Sequence, residues 1–267
     1  MNMAVHIKDA GSLAERVPFD RPGLGLDSRW HGVKARSFLE AARRFVVDTR
    51  FAEFLKSQKP LYDVTDNRLQ SFVEMATDLP WFSRFFGTVS PVRFIIVPGL
   101  VNGGPSYGAS FVGEDGVEEM YAIPGVTQVD ADGNPVFASS GVLTTMVHEF
   151  VHSYTNPLID KYQAQLKEAG IRINEPLKDA MRAQGYGDAK TLLYESMVRA
   201  STIRYILDHK GSDAAREAIV AESNRSFWWV GDLSDLLGTY EKDRGTYPTL
   251  ESFMPRVVQF FNGVAPR

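Results

Sequence analysis

Residues 141–154 read GVLTTMVHEFVHSY, a stretch without proline that contains the motif His148-Glu149-Phe150-Val151-His152. Residues four apart lie on one face of a helix, so His148 and His152 can present both imidazoles to one metal ion. Glu149 lies beside the first histidine, where its carboxylate can face a metal-bound water and accept a proton from it. The stretch therefore predicts a helix that carries two metal ligands and a general base.

The surroundings of this motif favour a metal site over two unrelated histidines on a surface helix. Val147, Phe150 and Val151 are uncharged, as expected of a helix buried beside a sheet, and no charged residue follows as far as Tyr154. The chain has five histidines, and two of them fall within these five residues. We therefore interpret the motif as a zinc site.

A catalytic zinc ion usually has three protein ligands, so a third must come from elsewhere in the chain. The best candidate is Glu195, an acidic residue within the otherwise apolar helical stretch 192–200. Burial of a carboxylate is costly unless a cation compensates for it, and a metal ion would do so. The alternative is an ion pair with Arg199, four residues later on the same helix. His209 and Asp208 are weaker candidates for the ligand, because they lie at the polar end of that helix.

Composition excludes several other kinds of site and partner. The chain has no cysteine, which excludes disulfides, thiolate ligands and cysteine nucleophiles. A net charge of −4 with dispersed Lys and Arg does not favour a nucleic-acid partner. No apolar run approaches the roughly 20 residues that span a bilayer, and residues 1–16 do not resemble a signal peptide. We expect a soluble chain, cytoplasmic unless a signal has been removed, and the oligomeric state stays open.

The hydrophobic pattern predicts an α/β (α+β) chain with helices first, then a small sheet, then a helical half. Residues 1–36 are predicted to be an irregular surface segment, and 37–267 a single domain with an N-lobe at 37–139 and a C-lobe at 140–267. Predicted helices cover 37–58, 61–77, 140–155, 157–169, 174–184, 187–209, 212–222, 227–241 and 249–262. Predicted strands cover 92–97, 106–112, 119–126 and, as a fourth, 135–138. Residues 130–134 (DADGN) predict a turn and lack ligand positions of a calcium loop.

The motif and the later glutamate together resemble the gluzincin zinc peptidases. More closely, residues 148–157 (HEFVHSYTNP) with 195–200 (ESMVRA) resemble a bacterial family known as domain of unknown function 4932. The Ser106-Tyr107-Gly108 strand start and residues 247–255 (YPTLESFMP) also match, so the resemblance covers about 37–262. It implies that His148, His152 and Glu195 bind zinc and that Glu149 is the base. It also implies a zincin-like fold, with a small, mostly antiparallel or mixed sheet packed on the motif helix.

The resemblance has one departure, and three further roles stay open. Gluzincins of the thermolysin type carry an acidic residue one turn after the glutamate ligand, where this chain has Arg199. Arg199 could instead hold Glu195 or bind a substrate carboxylate, and Asp179 or Asp188 could support a metal-bound histidine. The candidates for stabilising an oxyanion are Tyr186, Tyr205, Tyr240 and Tyr247. Gly104 and Tyr107 mark a strand that could pair with an extended peptide, although a simple glycine turn explains the glycines equally well.

The sequence thus predicts a zinc-dependent hydrolase with one catalytic Zn²⁺, a metallopeptidase that cleaves peptide bonds with a Glu-activated, zinc-bound water. One alternative is a catalytically inactive zincin fold that acts as a binding or scaffold protein. Another is a zinc hydrolase of non-peptide amides. Retention of Glu149 beside all three ligands favours catalysis, because a base has no evident purpose in a structural metal site.

Overall fold

A computed structural model describes residues 3–21, 26, 30, 32–87, 92–137 and 140–265. It is a mixed α+β structure, mostly helical, with a small three-stranded sheet. The first helices are α1 (Gly32–Asp48), α2 (Phe51–Ser57), α3 (Lys59–Ala76) and α4 (Pro80–Phe86). The strands follow as β1 (Val92–Ile96), β2 (Tyr107–Val112) and β3 (Glu118–Ile123). The remaining helices are α5 (Ser140–Lys161), α6 (Gln163–Asn174), α7 (Lys178–Ala183), α8 (Ala189–Asn224), α9 (Val230–Lys242) and α10 (Leu250–Gly263).

The chain divides into two compact units, and the division falls within α5. One unit contains Met1–Thr77 and Ser90–Phe150, and the other contains Asp78–Val89 and Val151–Arg267. None of the described helices is long and apolar enough to cross a membrane.

The sheet of the first unit has the strand order β1-β3-β2 and is mixed, as the sequence predicts. β3 lies in the centre, parallel to β1 and antiparallel to β2, with Gly108 of β2 opposite Ala122 of β3. Side chains alternate across a strand, so one face of the sheet carries Phe94, whose ring contacts Phe150 of α5 at a centroid distance of 4.8 Å. The motif helix therefore packs on this face, as predicted.

The opposite face of the sheet is covered by the N-terminal segment, which is more than an irregular surface segment. Val5 and Val17 are buried in one cluster with Ala109 and Phe111 of β2. Arg16 forms an ion pair with the buried Glu119 of β3, with an N–O distance of 2.6 Å. These contacts hold residues 5–17 against the sheet. Residues 22–25, 27–29 and 31 of the predicted segment lie outside the described residues.

The second unit is a helical bundle with an aromatic core. Trp81 and Phe85 of α4 stack with a centroid distance of 4.5 Å, and Phe86 stacks on Tyr154 of α5 at 4.3 Å. The aromatic cluster at residues 81–86 is thus part of the core. Trp229 donates from Nε1 to Oγ of Ser196 at 3.0 Å, and this hydrogen bond joins the start of α9 to α8 inside the bundle.

Several predicted boundaries differ from the structure. The helices predicted at 157–169 and 174–184 appear as α6 (Gln163–Asn174) and α7 (Lys178–Ala183). The helix predicted at 37–58 is interrupted at Arg50, whose backbone is left-handed with a φ of 51°. The break predicted at Asn156-Pro157 is wrong, because α5 continues through Pro157 to Lys161. The fourth strand is wrong as well: Pro135 forms only an isolated bridge with Val129, and Ala138 lies outside the described residues. The strand predicted at 119–126 begins one residue earlier, at Glu118, and ends three residues earlier, at Ile123.

Two predicted turns are confirmed. In the 130–134 loop, Oδ1 of Asp130 accepts hydrogen bonds from the backbone N–H groups of Asp132 and Asn134, and Gly133 has a φ of 82°. The other carboxylate oxygen of Asp130 pairs with Arg68, so both oxygens of Asp130 have partners within the chain. The second turn is at Gly211, whose φ of 82° and ψ of 179° divide α8 into two helices.

Candidate metal centre

In helix α5, the apolar residues that alternate with the polar residues of the motif are buried. Val147, Phe150 and Val151 have no exposed surface, whereas His148, Glu149 and His152 are only partly buried. The apolar face anchors the helix, and the 3.6-residue period then turns the two imidazoles to one side. The sequence predicts this division of the helix into a packing face and a ligand face.

Glu195 is buried in the first half of α8, with 6% of its surface exposed. His148, His152 and Glu195 each offer one ligand atom, and these atoms all lie within 4.8 Å of one another. Among the residues that the structure describes, no other group of three or more His or acidic side chains is arranged in this way. The group could bind a metal ion.

The hydrogen bonding of His152 prepares it as a ligand. Its Nδ1 lies 3.3 Å from Oδ1 of Asn156, one turn later on α5. An amide oxygen can only accept, so Nδ1 carries the proton of the neutral imidazole and Nε2 keeps its lone pair. Burial lowers the pKa of His152 below its ordinary value, although the nearby charge of Glu195 opposes this. The neutral form is the one that binds metals.

Nε2 of His152 points at Glu195, at 3.5 Å from Oε1. The other oxygen of Glu195, Oε2, accepts a hydrogen bond from Nη2 of Arg199 at 2.9 Å. The ion pair with Arg199, which the sequence offered as the alternative, is present, and the other oxygen of Glu195 faces the histidine. Asn156, which the sequence did not single out, is the residue that contacts Nδ1 of His152.

Glu149 lies against strand β2. A Cβ atom added to Gly108 would come within 2.8 Å of Oε2 of Glu149 and 3.0 Å of its backbone oxygen. A side chain here would displace the Glu149 carboxylate and press on the backbone of the helix. Gly104, by contrast, has no atom within 4 Å of the equivalent position. The close contact of this strand start with α5 thus occurs at Gly108, next to the half-exposed Tyr107.

Several other candidates make contacts of their own within the helical unit. Tyr240 is fully buried, and its hydroxyl donates to the backbone oxygen of Phe85 at 2.5 Å, so it is a core residue and we drop it as an oxyanion group. The hydroxyl of Tyr186 accepts a hydrogen bond of 2.7 Å from Nη2 of Arg199, the nitrogen that also donates to Glu195. His209 contacts Asp78 at 3.2 Å, and Asp188 caps the start of α8. Tyr205 binds the backbone N–H of Asp78, and Tyr247 packs on Phe253.

Comparison with known proteins identifies a family for the chain. A family model described as domain of unknown function DUF4932 matches residues 1–260. The chain belongs to the DUF4932 family. This confirms the family resemblance that the sequence indicated and extends it to the N-terminal segment, while the likeness to gluzincins stays a prediction. No curated protein and no solved structure matches this DUF4932 chain.

Sequence reasoning missed two features of the site in this DUF4932 chain. Asn156 was treated as part of a turn, because Asn-Pro pairs usually end helices. Glu222, which binds Arg199, lies 23 residues away from it in the chain. No local pattern links residues at that distance. The period of α8 alone would not have found this contact.

Proposed function

We propose that this chain is a zinc-dependent hydrolase that cleaves peptide bonds, with a gluzincin-like arrangement of ligands. The observation that carries the proposal is the cluster of His148, His152 and Glu195, whose ligand atoms lie within 4.8 Å of one another. Glu149 directly follows the first of these ligands in the chain. Two imidazoles and one carboxylate are a common ligand set of catalytic zinc ions.

The dimensions of the cluster fit zinc. Zinc–ligand bonds of about 2.0–2.2 Å in a tetrahedron place neighbouring ligand atoms about 3.3 Å apart. Nε2 of His152 and Oε1 of Glu195 lie 3.5 Å apart. When the imidazole is neutral, both atoms carry lone pairs, which repel each other. A cation between the two atoms would replace this repulsion with attraction. Three protein ligands would leave one coordination position open for water or substrate.

Glu149 supplies the base in this proposal. A zinc ion in such a ligand set is a Lewis acid that lowers the pKa of a bound water toward about 7 and polarises a carbonyl group. The Glu149 carboxylate accepts the proton of the attacking water and then transfers it to the departing amine nitrogen. A peptide bond is thereby exchanged for a free carboxylate and a free amine.

Strand β2 favours an extended peptide as the substrate. β2 is an outer strand of the three-stranded sheet, and Gly108 brings its backbone against the Glu149 carboxylate. A peptide that paired with this edge through main-chain hydrogen bonds would pass close to the base. The half-exposed Tyr107 lies at the start of the same edge.

The test is cleavage of a mixed peptide library, read by mass spectrometry, with zinc-loaded wild type, Glu149→Gln and the exposed control Glu168→Gln. We expect wild type and the control to cleave. Glu149→Gln should bind zinc equally and lose about 10²- to 10⁴-fold in rate, because the base is absent. Equal cleavage by Glu149→Gln would remove the proposed base.

Failure of all three proteins to cleave peptides while zinc is bound would contradict the peptidase proposal. Hydrolysis of small non-peptide amides by wild type in the same assay would then identify the substrate class. Inactivity on both would favour a metal-binding scaffold.

A further inference from the structure

The two oxygens of Glu195 have different partners. Oε1 lies 3.5 Å from Nε2 of His152, whereas Oε2 accepts from Nη2 of Arg199 at 2.9 Å. The hydrogen bond on Oε2 favours binding of a metal ion through Oε1 alone. Arg199 therefore determines which oxygen of Glu195 is available and the direction in which it points.

Arg199 itself is fixed on several sides. Its side chain is 5% exposed, Nη1 forms a hydrogen-bonded ion pair with Oε2 of Glu222, and Nη2 also donates to the Tyr186 hydroxyl at 2.7 Å. The guanidinium lies over the Phe227 ring, 4.5 Å from its centroid. Such a planar, multiply bonded group holds one orientation, which a flexible ammonium would not.

The break in α8 makes this arrangement possible. In one straight helix, Arg199 and Glu222 would be separated by about 35 Å, at a rise of 1.5 Å per residue. They are in contact, so the chain reverses at Gly211, which has a non-helical φ of 82°. The second half of α8 thus returns a carboxylate to the arginine that binds Glu195. Arg225, one turn from Glu222, also pairs with it at 3.1 Å.

We propose that Arg199, held by Glu222, is a positioning residue that makes Glu195 a one-oxygen metal ligand. The inference rests on the proposed zinc site, and it concerns the strength and geometry of that site. As a positive charge alone, Arg199 would repel a nearby cation and weaken its binding. As a positioning group, it would strengthen binding by orienting the ligand, and groups that orient ligands typically contribute 10- to 100-fold in metal affinity. The two roles predict different results for Arg199→Lys, which keeps the charge and loses the orientation.

The test measures zinc affinity by competition with a chromophoric chelator for wild type, Arg199→Lys and Glu222→Gln. Arg199→Lys keeps the charge and loses the planar fork, so we expect about 10- to 100-fold weaker zinc binding. Glu222→Gln releases Arg199 to pair more closely with Glu195, and we expect weaker binding there too. The absorption spectrum of the Co²⁺-loaded protein, which reports ligand geometry, should change in both variants.

Arg204→Lys is the matched control. Arg204 lies on the same helix and pairs with Glu241, where Nε donates to Oε2 at 2.7 Å, and its side chain is 15% exposed. This variant should lower the melting temperature of the metal-free protein and leave zinc affinity unchanged. A purely structural role for Arg199 would give the same result for Arg199→Lys.

Two results would overturn the inference. One is wild-type zinc affinity and an unchanged Co²⁺ spectrum in both Arg199→Lys and Glu222→Gln. The other is wild-type zinc affinity in Arg199→Lys together with weaker binding and an unchanged Co²⁺ spectrum in Glu222→Gln, because loss of a nearby negative charge weakens cation binding without any change in orientation. If Arg199→Lys fails to fold, the Co²⁺ spectrum of Glu222→Gln decides, because a change in charge alone leaves the ligand geometry unaltered. Absence of zinc from wild type would instead contradict the proposed function, so the two failures are distinguishable.

Discussion

Nε2 of His152 and Oε1 of Glu195 approach to 3.5 Å in the interior of the helical unit. Asn156 accepts a hydrogen bond from the other imidazole nitrogen, so two lone pairs face each other in the neutral state. A cation between the two atoms would make this approach favourable. Through His152, the amide of Asn156 on α5 is thus connected to the carboxylate of Glu195 on α8.

Asn156 should contribute to metal affinity through His152. Asn156→Ala removes the acceptor for Nδ1–H, which leaves the ring free to rotate and to change tautomer. We expect zinc binding to weaken by about 10- to 100-fold. Asn156→Asp keeps an acceptor at the same position and should retain the affinity of wild type or exceed it. Chelator competition measures both, and equal affinities for Asn156→Ala and wild type would contradict this role.

Gly108 should be required for activity and not for metal binding. An alanine Cβ there would come within 2.8 Å of the Glu149 carboxylate and 3.0 Å of its backbone oxygen, so the base must move. Misplacement of a catalytic group by about 1 Å can cost about 100-fold in rate. We expect Gly108→Ala to lose up to about 100-fold in peptide cleavage with its zinc content retained.

Gly104→Ala is the control for that substitution, because its Cβ would meet no atom within 4 Å. It should cleave at the wild-type rate. Equal activity in the two alanine variants would show that the contact between β2 and Glu149 does not position the base.

Glu119 should make the stability of the sheet unit dependent on pH. A hydrogen bond from Arg16, with further ones from Tyr121 and Arg93, lowers the pKa of Glu119 from its ordinary value of 4.5 to about 2. A lowered pKa stabilises the fold above the unfolded-state value, and this contribution is lost as the pH falls from about 4.5 through about 2. Its size at neutral pH is about 3 kcal/mol.

Urea unfolding followed by circular dichroism at pH 7, 4 and 2.5 checks this prediction. Glu119→Gln should be less stable than wild type at pH 7, and the difference should shrink towards pH 2.5. Glu114→Gln, which alters an exposed carboxylate in the preceding turn, should follow wild type throughout. A difference between Glu119→Gln and wild type that does not vary with pH would contradict the assigned ion pair.

The sequence predicts the parts of this structure that depend on local patterns. The apolar period of α5, the strand-like run of β1 and the isolated acid at Glu195 each carry their own signal, because burial constrains every residue of an element. The sequence failed where packing outweighs local preference. Pro157 removes one backbone hydrogen bond from α5, yet the helix continues, and the buried Ile159 two residues later is held by packing in the bundle.

Contacts between distant parts of the chain could not be predicted. The reversal at Gly211 was expected as a turn, but nothing in the pattern indicated that Glu222 would return to Arg199. The role of the N-terminal segment was missed for the same reason. Arg16 and Glu119 are 103 residues apart, and each alone resembles an ordinary surface charge.

The most direct test of the account is the zinc content of purified protein, measured by mass spectrometry of the metal after reconstitution and removal of free ion. Wild type should hold about one zinc ion per chain, as should His209→Ala, whose imidazole pairs with Asp78. His148→Ala, His152→Ala and Glu195→Ala should each hold far less. Zinc retained by Glu195→Ala but lost from His148→Ala would mean that another residue is the third ligand, and no zinc in wild type at neutral pH would contradict the metal site itself.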